Sequence, residues 1–170
     1  MHLTTSRPAP FPAPARPGPT APHNRVVVGM DGDPVSVAAL RFAAVEAAYR
    51  GGDVLAVHVW HYPSTWGAWG VPTVWPDETN PGIFILEQLQ QSVDVVLAER
   101  AATGEPSVAI TAQVMEGASA ATLTAAARGA ALLVLGARHH NRLLGSVSEA
   151  CISHASCPIA VVPAAGAASR

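Results

Sequence analysis

The stretch RVVVGMDGDPVSVAALRFAAVEAAYRGGDVLAVHVW, residues 25–60, decides the fold class of this chain. It opens on a continuous β-branched run, which is typical of a strand buried on both faces. Asp33 and Pro34 predict a helix cap and first helical residue, and apolar side chains then recur at helical spacing up to the glycine pair at 51–52. A second apolar run follows over 53–60. The stretch therefore predicts a strand, a helix and a second strand.

The same alternation continues down the chain. Further elements are predicted as helices over 81–103, 119–130 and 146–155, and as strands over 107–115, 131–136 and 158–163. Strands that alternate with helices indicate βαβ units and a parallel sheet. The predicted fold is a single doubly wound α/β domain over residues 25–163, with a five-stranded parallel sheet and helices on both faces.

The composition limits the class of protein. The 170 residues are 49% apolar and 13% charged, and the net charge is −2 without a basic stripe. Such a surface excludes nucleic acid and anionic membranes as expected partners, and no apolar run reaches the roughly 20 residues that span a bilayer. Cys151 and Cys157 are too few for a disulfide framework. These features predict a cytoplasmic protein whose cysteines are reduced core residues.

The two ends of the chain are predicted to lie outside the domain. Proline recurs through residues 1–24, which favours an extended, solvated chain over a packed one. We interpret this segment as a disordered tail, with a docking motif for a partner as the alternative. Residues 164–170 are predicted to form a flexible C-terminal tail.

Two strand ends carry unusual residues, GMDGD at 29–33 and GARHHNRLLGS at 136–146. Ligands of doubly wound sheets bind beyond the carboxyl ends of the strands, where the strand order reverses. Gly145 and Ser146 open the fourth helix, whose free N–H groups suit a phosphate. The alternative is a capping box of Ser146 and Glu149, which would satisfy the same donors without a ligand.

Other polar and aromatic residues leave alternatives open. Asp31 could accept hydrogen bonds from a ribose, or it could simply be a turn residue. The segment 60–82 holds every tryptophan of the chain and could be a lid or a self-packed connection. The histidines lack the spacing of a metal site, and we expect neither a metal site nor a catalytic constellation.

Two long segments of the sequence, VVVGMDGDPVSVAALRFAAVEA and LLVLGARHHNRLLGSVSEACISHASCPIAVVP, resemble the universal stress protein family. The resemblance covers nearly all of residues 25–163. It implies the strand order 3-2-1-4-5 and a homodimer formed through the last strand, 158–163. It also implies ATP as the ligand, alone or with Mg²⁺.

The resemblance further implies which residues hold the nucleotide. Asp31 would bind the ribose, the backbone at Val59 would meet the adenine, and Gly136 would open the phosphate loop. The full set of nucleotide-binding residues implied in this way is Gly29, Asp31, Val59, Gly136, Arg138, His139, Gly145, Ser146, Val147 and Ser148.

The sequence departs from the family's ATP motif, G-x2-G-x9-G-S/T, in the phosphate loop. His139 stands where the motif has its second glycine, and five residues rather than nine separate it from Gly145. Arg138, His139, His140 and Arg142 could compensate by offering positive charge. Three hypotheses follow: a regulatory ATP-binding protein, a homodimer of the same fold that acts through protein partners without nucleotide, and an enzyme using the His139–His140 pair.

Overall fold

Five strands and four helices alternate along the part of the chain that the structure, a computed structural model, describes: residues 24–61, 81–137 and 144–163. The strands are Val26–Met30 (β1), Val54–Trp60 (β2), Ile110–Glu116 (β3), Leu132–Gly136 (β4) and Ile159–Val162 (β5). The helices are Pro34–Arg50 (α1), Pro81–Ala102 (α2), Ser119–Ala126 (α3) and Ser146–His154 (α4). The predictions about the two tails fall on residues 1–23 and 164–170, outside this description.

All five strands are parallel and lie in the order β3-β2-β1-β4-β5. β1 is central: Val26 pairs with Val54 on one side and with Leu132 on the other. The strand order therefore reverses at β1, and the chain crosses from β3 on one side of it to β4 on the other. The predicted doubly wound α/β fold and strand order are confirmed.

Two apolar cores cover the two faces of the sheet. Val26 and Val28 pack in the core with α1 and α2. Val27 packs in the other core, with Leu123 of α3 and Cys151 of α4. Because neighbouring side chains of a strand point to opposite faces, the β-branched run of β1 is buried on both sides, as its sequence predicts.

The ends of α1 follow from residues that the sequence singles out. Asp33 is the N-cap, and its carboxylate accepts a hydrogen bond from the Val35 N–H at 3.3 Å, with Pro34 in the first turn. Gly51 ends the helix in the left-handed conformation, at φ 62°. Glycine adopts this conformation without the steric cost that a Cβ atom brings. This turn leads the chain directly back into β2.

Two predicted boundaries differ from the structure by three or more residues, and several others differ by one. β3 begins at Ile110 rather than at residue 107, because the segment before it lies against α2, where the Arg100 guanidinium donates to the Pro106 carbonyl at 2.9 Å. α3 ends at Ala126 rather than at residue 130, and the chain turns through Gly129 at φ 74°. Neither shift changes the register of the buried strands.

Both cysteines are free thiols on the α3–α4 side of the sheet. Cys151 is fully buried and Cys157 is half-buried. Burial raises the pKa of both thiols because the charged thiolate is poorly solvated there. Their predicted role as small core residues is confirmed.

Among the helices that the structure describes, none has the length and apolar character to cross a membrane.

Candidate functional site

A cavity of about 360 Å³ lies at the carboxyl ends of β1, β2 and β4, on the face covered by α3 and α4. This is the position at which the strand order reverses and at which such sheets bind ligands. Every predicted site residue that the structure describes lines this one cavity. These residues are Gly29, Asp31, Val59, Gly136, Gly145, Ser146, Val147 and Ser148.

The floor of the cavity is apolar and depends on a glycine in β1. A Cβ atom at Gly29 would lie 3.0 Å from Leu135 Cδ2 and 3.2 Å from Leu123 Cδ1. The absence of a side chain therefore lets the two leucines meet over β1. Both leucines line the cavity, so the floor offers an apolar surface against which a planar ring could pack.

Asp31 sits at the end of β1 and serves a turn as well as the cavity. Its Oδ1 accepts a hydrogen bond from the Asp33 N–H at 3.0 Å, and Gly32 between them has φ 81°. The turn interpretation of Asp31 is therefore correct. The same side chain is exposed and belongs to the cavity lining, so the turn role does not remove it from the site.

Val59 belongs to the part of β2 that extends past β1. The last residue pair between β1 and β2 is Met30 with His58, whereas Val59 pairs with Met115 of β3 on the other side. Val59 lines the cavity. The end of β2 therefore borders the cavity beyond its last pair with β1.

The N-terminus of α4 forms the opposite wall, and it is not capped by a side chain. Gly145 is the N-cap, in extended conformation at φ −64° and ψ 155°, and no side-chain hydrogen bond closes the helix end. The capping box of Ser146 and Glu149 is therefore wrong, because the helix begins one residue earlier than that motif requires. Among the described residues, the N–H groups of Ser146, Val147 and Ser148 have no hydrogen-bond partner.

Ser148 adds a hydroxyl to these N–H groups. It is 5% exposed and lines the cavity. Within the described parts of the chain its hydroxyl has no hydrogen-bond partner. The hydroxyl is therefore available to a ligand that enters the cavity. Together with the free N–H groups it makes this end of the cavity suited to an anion.

Gly136 brings β4 close to the start of α1. A Cβ atom at this position would lie 3.0 Å from Val35 Cγ1 and 3.3 Å from the Val35 carbonyl oxygen. Any larger residue would therefore push the end of β4 away from α1. The glycine thus lets the end of β4, which lines the cavity, lie close to the start of α1.

The sequence did not indicate that α3 contributes to the site. Ser119 and Leu123 of α3 line the cavity, and so do Met30, Val57, His58 and Leu135 of the strands. Ser119 follows β3, whose carboxyl end is two strands away from β1. The strand order could have predicted this contribution, because the connection that contains α3 must pass over β2 and β1 to reach β4.

Several predictions concern residues outside the described ranges. Arg138 and His139, which were expected in the phosphate loop, lie there, as does His140. The tryptophan-rich segment lies there too, apart from its ends. Within the described ranges, no group of three or more His, Cys, Asp or Glu side chains could hold a metal ion.

The fold and the cavity define the class of protein. It is a parallel α/β domain with a ligand-sized cavity at the point where the strand order reverses. The family model described as the universal stress protein family matches residues 22–163 of the sequence. This chain belongs to the universal stress protein family.

Curated relatives in mycobacteria support this assignment. A universal stress protein of Mycobacterium tuberculosis is 32% identical over 157 residues, which cover 88% of this chain and 46% of that protein. A universal stress protein of Mycobacterium bovis is 30% identical over 151 residues, which cover 81% of this chain and 47% of that protein. This chain thus spans about half the length of the curated relatives it matches.

Solved structures share the fold. A universal stress protein in complex with cAMP aligns with a TM-score of 0.60 and 22% identity, over 82% of this chain and 95% of that one. A universal stress protein from Archaeoglobus fulgidus in complex with dAMP aligns with a TM-score of 0.58 and 24% identity, over 81% of this chain and 96% of that one. A family member from Burkholderia pseudomallei aligns with a TM-score of 0.55 and 27% identity, over 86% of this chain and 100% of that one. At these identities the two nucleotide complexes establish a common fold.

Proposed function

We propose that this chain binds an adenine nucleotide, ATP first among them, as a regulatory ligand in the response to stress. The observation that carries the proposal is the uncapped N-terminus of α4, which faces the cavity that Asp31 and Val59 also line. Binding alone suffices for such a role, because occupancy can alter which partners the protein engages.

Each wall of the cavity suits one part of the nucleotide. The adenine rests on Leu123 and Leu135, with its edge toward the backbone at Val59. The Asp31 carboxylate accepts hydrogen bonds from the ribose hydroxyls. The phosphates meet the N–H groups of the first turn of α4 and the Ser148 hydroxyl. Asp31 is the one carboxylate among the described lining residues, so an accompanying Mg²⁺ would take most of its ligands from phosphates and water.

The solved neighbours support the class of ligand. Two of them are described as complexes with cAMP and with dAMP, and both compounds carry adenine and phosphate. The cavity of this chain has an apolar floor, a carboxylate and an anion-binding end in one space. These are the features that an adenine nucleotide requires.

We also propose that the chain forms a homodimer in the cytoplasm through β5. In the described sheet β5 is an edge strand, paired with β4 alone, and all four of its residues are half-buried. An open edge can pair with a second copy of the chain. The free thiols of Cys151 and Cys157 are compatible with a reducing compartment.

A second candidate function is a protein of the same fold that works through protein partners without nucleotide. Two observations favour it. One oxygen of Asp31 is already bonded to the Asp33 N–H, and the phosphate loop is shorter than the family's ATP motif and has His139 in place of a glycine. If the protein works in this way, water rather than a phosphate bonds to the free N–H groups at the N-terminus of α4.

Ser146→Pro tests the proposal at the α4 N-terminus. Proline is well tolerated as the first residue of a helix, and the extended conformation of Gly145 permits it. The substitution removes one N–H donor and the hydroxyl. We expect it to weaken ATP binding about tenfold, the value of a charge-assisted hydrogen bond. Calorimetric titration into protein freed of bound nucleotide measures the change.

Ser146→Ala is the companion variant, because it keeps the N–H group and removes the hydroxyl. Its loss should be smaller, about threefold for one hydrogen bond. ATP binding that is equally tight in wild type and in Ser146→Pro would contradict the proposed phosphate position. A wild-type protein that binds none of ATP, ADP and AMP would support the second candidate.

A further inference from the structure

A second uncapped helix N-terminus reaches the cavity. α3 begins at Ser119 after the N-cap Ala118, and no side chain caps this end. Among the described residues, the N–H groups of Ser119, Ala120 and Ala121 have no hydrogen-bond partner. The site therefore has free N–H donors on two of its walls, of which the family resemblance assigned one.

The two helix ends meet in a recess beside the cavity. Its lining consists of the first residues of both helices together with the exposed His61 at the end of β2: His61, Ala118, Ser119, Ala120, Ser146 and Val147. Three of these, Ser119, Ser146 and Val147, line the first cavity as well. The recess is thus continuous with the space proposed for the nucleotide.

The Ser148 hydroxyl is an independent indication of a ligand in the adjoining cavity, which Ser119 also lines. Ser148 belongs to α4 and is 5% exposed as a residue, and it lines the cavity next to Ser146 and Val147. Its hydroxyl has no hydrogen-bond partner among the described residues. The described lining of cavity and recess holds no lysine or arginine. Apart from the rings of His58 and His61, N–H dipoles and hydroxyls are therefore the groups that would hold an anion there, and such groups suit one phosphoryl group bound at close range.

We propose that the N-termini of α3 and α4 together hold the phosphoryl group attached to the ribose, with Ser119 as a further binding residue. This inference rests on the proposed binding of an adenine nucleotide and adds which phosphoryl group is held and by what. The recess lies beside the cavity that Asp31 lines. A phosphoryl group bound in the recess would therefore be the one attached directly to the ribose. Both helix dipoles then act on the same negative charge.

Ser119→Pro is the direct test. Ala118 has the extended conformation, φ −72° and ψ 121°, that a following proline requires, and proline is favoured at the first helical position. The variant loses the Ser119 N–H and hydroxyl while the helix is kept. We expect the Kd for AMP to rise about tenfold, as for the loss of a hydrogen bond to a charged group. The Kd for ATP should rise by the same factor.

Two further variants make the result specific. Ser119→Ala keeps the N–H group, and its Kd for AMP should rise about threefold. Ser107→Ala removes the same hydroxyl from an exposed position before β3, at the opposite end of the sheet, and should leave the Kd unchanged. Thermal unfolding of all variants checks that α3 is intact.

The outcomes separate this inference from the proposed function. Wild-type protein that binds neither AMP nor ATP would overturn both. Wild-type binding with no loss in Ser119→Pro would overturn the inference alone. A loss for ATP without a loss for AMP would also overturn it, because the recess would then hold an outer phosphate. An equal loss for adenosine, which carries no phosphate, would mean that Ser119 contacts the base or ribose instead.

Discussion

Asp31→Asn is expected to weaken adenine-nucleotide binding by about tenfold to a hundredfold, the range for hydrogen bonds to a charged group. The substitution is chosen because Asp31 has two roles. Its Oδ1 accepts the Asp33 N–H, and an asparagine oxygen can accept the same bond. The turn after β1 is thereby kept, while the carboxylate that would bind the ribose hydroxyls is lost. Calorimetric titration of ATP and AMP measures the effect.

Asp33→Asn is the matched control for this variant. It makes the same charge change two residues away, at a position that does not line the cavity. Asparagine caps a helix about as well as aspartate, so α1 should be preserved and nucleotide affinity should change less than about twofold. Equal losses in both variants would point to the net charge near β1 rather than to a ribose contact. An unchanged Kd in Asp31→Asn would leave Asp31 as a turn residue alone.

Leu40→Ala is expected to destabilise the fold by about 3 kcal/mol, as large-to-small changes in a packed core do. Leu40 is fully buried in α1, where it packs in the core with α2 and the sheet. For a domain of this size, such a loss lowers Tm by about 6–12 °C. Thermal unfolding followed by circular dichroism measures the shift.

Leu86→Ala provides the comparison on a surface. Leu86 lies in α2 and is 41% exposed, so the same truncation removes little buried area and should lower Tm by no more than about 2 °C. If both variants lost the same stability, α1 would not be packed against the sheet as described. Because α1 also contacts β4 at Gly136, Leu40→Ala should loosen one border of the cavity as well.

Much of the fold could be predicted because local signals and global packing agree. The run at β1 alternates between the two cores, and Asp33 and Gly51 end α1 by conformations that their side chains, or the lack of one, favour. The start of β3 was less predictable. Its sequence continues the strand pattern backward to residue 107, but a hydrogen bond from Arg100, near the end of α2, to the Pro106 carbonyl ties the start of that segment to α2.

The residues of the candidate site, like the elements of the fold, could be predicted from the sequence only in part. Gly29, Asp31 and Gly136 lie at strand ends, where topology brings them together, and could be found from the sequence. The capping box failed because it depends on the first residue of a helix, a boundary that sequence patterns locate only to within a residue or two. Ser119 was missed because its place in the cavity comes from the crossover of α3, which no local pattern encodes.

The central claim is that an adenine nucleotide occupies the cavity between α3 and α4. Backbone NMR of the isotope-labelled chain during titration with ATP tests it most directly, since each amide reports its own surroundings. The account predicts saturable shifts, with a Kd in the micromolar range, at Gly29, Asp31, Val59 and the first turns of α3 and α4. Amides that do not shift there, or shifts confined to β5 and its neighbours, would contradict it.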